Sequence, residues 1–139
     1  MAKESGLGFT SLSVDDSTGT LQDIRNDIPN FQFSTPRSVQ DVTGIDKFAF
    51  ERLLLLADMS MTLNGVFNDA ANKSHAVFKT VSTYNSGREI LLAHSGQTLG
   101  TTPQVEMIAT DYALNRGAGG ELTWSVPLVL SNGAIPTWS

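Results

Sequence analysis

The chain has 139 residues, a mass of 14.9 kDa, no cysteine and a net charge of −5. That length fits one domain around one core. The lack of cysteine excludes disulfides, thiolate metal sites, thiol nucleophiles and iron–sulfur clusters, and two histidines are too few for a three-histidine zinc site.

Nine basic residues lie scattered among fourteen acidic ones, which disfavours static binding of nucleic acid. The longest apolar run, Leu53 to Ala57, is far short of the ~20 residues of a bilayer span. Met1 to Gly6 carry no apolar signal-peptide stretch, so the chain is expected to be made in a cytoplasm and to stay soluble.

The first seven residues read as a mobile arm. Short strands are predicted over Thr10–Val14 and Thr20–Ile24, joined by the turn residues Asp15 to Gly19. Phe31 and Phe33 then alternate with Gln32 and Ser34, the period of a half-buried strand. Asp46 to Leu55 reads either as a short helix capped by Asp46 or, from its leucine run, as a buried strand. Met59, Met61, Leu63 and Phe67 alternate with Ser60, Thr62 and Asn64 in the next strand.

From Asp69 the period changes. Ala70, Ala71, Val77, Phe78, Val81 and Tyr84 fall within an arc of about 140° at helical spacing, which predicts one amphipathic helix over residues 69–84. Asn68 or Asp69 would cap it, and Gly87 follows its end. Strands are predicted at Arg88–His94 and, past the turn Gly100-Thr101-Thr102-Pro103, at Gln104–Asn115 with Ile108, Tyr112 and Leu114 on one face. Gly117 to Gly120 turn the chain into the clearest strand, Glu121–Leu130. There Leu122, Trp124, Val126, Leu128 and Leu130 point one way, and Pro127, lacking an N–H, predicts an edge or a bend. Trp138, a large aromatic in the tail, suggests docking on this domain or on a neighbour. The fold class is therefore mainly β: a β-sandwich or barrel with one flanking helix, in a single domain spanning 1–139.

No residue pattern points to catalysis. His75 falls on the predicted helix and His94 ends a strand, and neither lies in a motif that supplies a nucleophile and an orienting carboxylate. Gly117-Ala118-Gly119-Gly120 lacks the ending of a phosphate-binding loop and lies between strands. Asp15-Asp16 and Asp69 to Asn72 lack calcium-loop spacing, and the acid pairs Glu51/Asp58 and Glu89/Glu106 are no more than fourteen acids produce by chance. No catalytic, metal-binding or cofactor-binding residue is assigned.

Five stretches carry a family likeness: Leu21–Ile28, Ser38–Lys47, Glu51–Asn68, Ser74–Val81 and Gly120–Pro127. The strongest block is Asp41-Val42-Thr43-Gly44 followed by Leu56-Ala57-Asp58, Ser60, and Thr62-Leu63-Asn64-Gly65-Val66-Phe67-Asn68. Together they resemble the tail tube (major tail) proteins of long-tailed bacteriophages, the siphoviruses, in particular those of actinobacterial phages and prophages.

The resemblance implies a structural virion protein with no enzyme activity and no cofactor. It implies hexameric rings, stacked into a hollow tube that conducts DNA during genome ejection. The implied partners are further copies of the chain, a tape measure protein, other tail proteins and, in transit only, double-stranded DNA. Gln32, Ser34, Ser60, Thr62 and Asn64 are then candidates to line the lumen, and Val42, Ile45, Phe48, Phe50 and Trp138 to make contacts between subunits or rings. Ser38–Phe50, read as a loop, and the N-terminal arm are candidates for ring stacking. The competing readings are a monomeric carbohydrate-binding module using Trp138 and Tyr112, a small hydrolase using His94 or His75, and another small phage protein such as a tail terminator.

Overall fold

Period-two alternation gives strands wherever one face can be buried, and strands are the main regular structure of the chain. The computed structural model describes residues 3–101 and 103–139; Met1 and Ala2 of the expected arm and Thr102 of an expected turn lie outside the described residues. In chain order the strands are β1 (Ser11–Asp15), β2 (Leu21–Asp23), β3 (Asn30–Ser34), β4 (Arg37–Asp41), β5 (Arg52–Ala57), β6 (Ser60–Val66), β7 (Arg88–His94), β8 (Gln97–Leu99), β9 (Val105–Ala109), β10 (Ala113–Arg116) and β11 (Leu122–Leu130). A 3₁₀ turn covers Arg25–Asp27, and the helix α1 covers Ser74–Phe78.

The main sheet is antiparallel in the order β2-β1-β7-β9-β11-β6-β3, with β10 beside β11 and β8 beside β7. Its inner face carries Leu12, Val14, Met61, Leu63, Ile90, Leu92, Val105, Met107, Trp124, Val126 and Leu128, all buried with Val77 and Phe78 of α1 in one core. Residues outside the strands cover the β3 end of the sheet. Phe9 packs edge-on against Phe31 of β3 at 5.4 Å between ring centroids. Trp138 lies 6.0 Å from Phe33 and bridges to Leu99, while Thr98 and Ser139 exchange two backbone hydrogen bonds of 2.7 and 2.9 Å. Residues from both ends of the chain thus close the seam beside β3.

Several expectations are corrected. The helix lies where the pattern places it but is one and a half turns long, because the chain after Phe78 continues in turns through Thr83. Its cap is not Asn68 or Asp69. The buried Asp27 carboxylate accepts the Ser74 N–H at 3.1 Å and the Asn68 amide at 2.8 Å, so the helix start is held from 47 residues away. The predicted Gln104–Asn115 strand breaks at Thr110–Tyr112 into β9 and β10. Before the break Val105 and Met107 point inward and Ile108 outward, and Leu114 is exposed on the outer strand β10.

β11 is interior, contrary to the edge suggested by Pro127. One flank pairs with β6, and the other pairs with β10 up to Ser125 and with β9 from Leu128. The Pro127 carbonyl accepts the Thr110 N–H at 3.2 Å, so this residue's backbone faces the break between β9 and β10. The absent N–H therefore falls where no ladder partner stands.

Gly65 of β6 stands directly opposite Trp124, whose indole lies over it and donates to the Val66 carbonyl at 2.9 Å. A Cβ at Gly65 would collide with that ring and lie 2.8 Å from the Asp27 carbonyl oxygen. The glycine is what lets the largest core side chain lie flat on the sheet.

The remaining strands, β4 and β5, form a separate two-stranded sheet inserted between β3 and β6. The Asp58 N–H donates to the Pro36 carbonyl at 2.9 Å and closes its base. The leucine run is thus neither helix nor buried strand: Leu53 to Leu56 lie in β5, exposed on both faces. Ser38–Asp41 are likewise strand, and only residues 42–51 form the tip.

Candidate assembly surfaces

Two exposed surfaces differ sharply in chemistry. The first is a polar stripe on the outer face of β3 and β6. Register puts Asn30 opposite Asn64, Gln32 opposite Thr62 and Ser34 opposite Ser60. Because Phe31, Phe33, Met61 and Leu63 take the inner face, the polar residues must share the outer one. The Asn64 amide donates to Asn30 Oδ1 at 2.8 Å, and the Ser34 and Ser60 hydroxyls lie 3.3 Å apart. All five lumen candidates read from the sequence therefore stand together. Ser125 and Thr123 of β11 extend the stripe, and with Asn115 they line an open groove of about 380 Å³.

The second surface is the arm. Val39, Val42, Ile45, Phe48, Phe50 and the four leucines of β5 are all exposed, Leu54 at 61% and Leu56 at 86%. Its tip is nonetheless ordered by hydrogen bonds. Thr43 donates N–H and hydroxyl to Asp41 Oδ1 at 3.0 and 2.5 Å, holding that carboxyl below its usual range, and the Glu51 N–H donates to the Thr43 hydroxyl at 2.9 Å. The Arg52 guanidinium lies 4.6 Å over the Phe50 ring. Four of the five contact candidates gather on this arm. Trp138 is not among them: it docks on its own domain against Phe33 and Leu99 with about half its surface open. The sequence marked the tip but missed β5, whose unbroken Leu53–Leu56 run gives no face assignment.

The groups weighed for chemistry have structural partners. His94 donates Nε2–H to the Ser5 carbonyl at 2.7 Å and stacks on Phe9 at 4.2 Å. His75 Nδ1 lies 3.2 Å from the Tyr112 hydroxyl, between Phe67 and Tyr112. Tyr112 belongs to the cluster of Phe78 and Trp124, away from the Phe33 beside Trp138, so the two rings of the carbohydrate reading form no joint platform. Asp16 Oδ1 accepts from Thr18 and Thr20, and Oδ2 from Gln22, in the β1–β2 turn. Burial pushes its pKa up, but these bonds outweigh burial and hold it at about 2. The Gly117–Gly120 segment is the β10–β11 hairpin turn, closed by the Gly117 N–H on Glu121 O at 2.8 Å.

No family model matches this sequence, and no curated protein sequence matches it. Among solved structures the chain is similar to one from the virion of a native gene transfer agent particle, with a TM-score of 0.68 at 15% identity. It is also similar to one from the tail of an empty gene transfer agent particle refined with C6 symmetry, with a TM-score of 0.70 at 15% identity. Each match covers 99% of both chains, and at this identity the likeness shows a shared fold.

Proposed function

We propose that the chain is a structural subunit of a phage-like tail, whose copies close into hexameric rings that stack as a hollow tube for DNA ejection. The observation that carries this reading is the β4–β5 arm. A two-stranded sheet with open edges, whose β5 exposes leucines on both faces and whose tip exposes Ile45, Phe48 and Phe50, presents an apolar surface suited to being covered by a neighbour. Burying one such leucine is worth about 1.5–3 kcal/mol, so the arm holds ample energy for association. The fold likeness to a chain of a C6-symmetric tail supports sixfold closure.

In this assembly Val42, Ile45, Phe48 and Phe50 bind the next subunit or ring, with Trp138 adding a contact from the body. Gln32, Ser34, Ser60, Thr62 and Asn64 line the bore. Their face offers DNA phosphates hydroxyls and amides but no lysine or arginine, so the polyanion slides without being held. Six copies at −5 each carry −30 per ring, which opposes retention further. A tape measure protein and other tail proteins are the remaining partners. The place of action is the virion tail, after synthesis in the host cytoplasm, and the role calls for no catalytic group, cofactor or membrane.

Negative-stain microscopy with light scattering on the purified chain tests this. Rings or hollow filaments of sixfold symmetry are expected. A monodisperse monomer at high concentration would overturn the tube reading, and rings that never stack would assign the chain to a terminator position.

A further inference from the structure

We infer that Asn132 is a self-modification site: its side-chain amide is lost to attack by the Gly133 backbone nitrogen, and the aspartate or isoaspartate formed loosens the C-terminal segment that covers Phe33. This goes beyond the tube reading and stands independently of it.

The chemistry is ring closure followed by hydrolysis. The Gly133 nitrogen, deprotonated by hydroxide, bonds to Cγ of Asn132. The bond from Cγ to Nδ2 breaks, and the leaving nitrogen takes a proton from water and departs as ammonia. Water then opens the five-membered succinimide at either carbonyl. One opening gives aspartate. The other gives isoaspartate, whose main chain runs through the former side chain. Water is the co-reactant, and nothing is oxidised or reduced.

Two asparagines precede glycine, the residue that least obstructs such an attack, and the structure separates them. Asn64-Gly65 lies inside β6, flanked by β3 and β11, with the Trp124 ring over the buried Gly65. The Asn64 amide is itself bonded to Asn30 Oδ1 at 2.8 Å. An extended backbone paired on both flanks cannot fold its nitrogen back onto the preceding side chain without breaking the ladder.

Asn132-Gly133 instead follows β11 in an exposed turn. Gly133 takes a φ of +74°, and a Cβ there would meet no atom within 4 Å, so ring closure and water both have room. Among the described residues nothing accepts a hydrogen bond from its N–H. The Ala134 N–H donates to Asn132 Oδ1 at 3.3 Å. That oxygen takes up negative charge as the nitrogen adds to Cγ, so the donor stabilises the tetrahedral state. Asn85-Ser86 is equally exposed, but there the Ser86 side chain crowds the attacking nitrogen.

Loss of the amide is felt because it anchors the turn. Asn132 Nδ2 donates to the Gln104 carbonyl at 3.2 Å, and Ser131 beside it donates its N–H and hydroxyl to the Glu106 carbonyl at 3.0 and 3.1 Å. A carboxylate at position 132 has no proton to give and turns negative charge toward the Gln104 carbonyl. Isoaspartate also lengthens the main chain. Both changes fall just before Trp138, which packs on Phe33, and Ser139, which pairs with Thr98.

The test incubates the full chain at mildly alkaline pH, folded and in urea, and follows each asparagine by peptide mass spectrometry. In the folded chain Asn132 is expected to convert about tenfold or more faster than Asn64 and Asn85. In urea Asn64 should approach the rate of Asn132, because no ladder protects it. An Asn132 that stays intact in the folded chain, or an Asn64 or Asn85 that converts as fast, overturns the site. Asn132→Asp supplies one product directly. Hydrogen exchange at the Thr98 and Ser139 amides should then speed up about tenfold, with the β11 amides unchanged. Exchange at the parental rate at Thr98 and Ser139 overturns the loosening.

Discussion

Arg88 Nη1 donates to the backbone carbonyl of Asp15 at 2.7 Å, a bond inside the core between residues 73 apart in sequence. The same nitrogen reaches the Val77 carbonyl at 2.9 Å, and the guanidinium lies 4.7 Å from the Tyr84 ring centroid. One buried cation therefore joins β1, β7, α1 and the turns after it. Arg88→Met should cost about 3 kcal/mol or more, since it leaves two buried carbonyls without donors. Thermal melting should show a fall of roughly 10 °C. Arg88→Lys should recover little, because one ammonium cannot reproduce the fork.

Asp27→Ala removes the acceptor for both the Ser74 N–H and the Asn68 amide. A loss of about 2 kcal/mol is expected. Hydrogen exchange should locate it: amides of residues 74–79 should lose protection before those of β7 and β11. Uniform loss across the sheet would contradict a local role.

The arm yields a prediction in which stability and assembly separate. Leu54→Ser with Phe48→Ser changes two exposed side chains and should leave dispersed-chain stability within about 0.5 kcal/mol of the parent. Ring and filament formation should be lost by microscopy.

The Asp16 turn predicts an acid dependence. Its folded pKa of about 2 lies below the usual 3.8. The stability it contributes is present above pH 3.8 and is lost as pH falls through about 2. Glu89 and Glu106 act with the opposite sign, since their raised pKa values mean stability lost as pH rises through them. The difference between melting curves of the parent and Asp16→Asn isolates the turn. It should be largest near pH 5 and shrink toward pH 2.

How far the sequence is readable depends on where each residue's partner lies. β3, β6, β7 and β11 are legible because a half-buried strand writes its two faces as alternating residues, and the polar stripe follows directly from that alternation. The helix span is over-read because Val81 packs on the core from a turn as well as it would from a helix, and Tyr84 beyond the turns sets its ring against the buried Arg88. Its cap is illegible, since Asp27 is local in space and remote in sequence. The break at Thr110–Tyr112 shifts the inward parity, which no single period can follow. The arm is missed for a deeper reason. A run such as Leu53–Leu56 signals burial, and sequence logic looks for that burial within the chain, where it does not occur.

The seam beside β3 bears on the order of events during synthesis. Phe31 and Phe33 are covered by Phe9 on one side and Trp138 on the other, so the first cover is made before them and the second more than a hundred residues later. A growing chain carries this half-covered pair, along with the β6 core residues, until Trp138 has been made. Closure of the last gap awaits the residues that pair Ser139 with Thr98. Residues 138 and 139 thus act as a timer, keeping one flank of the domain open until they have been added.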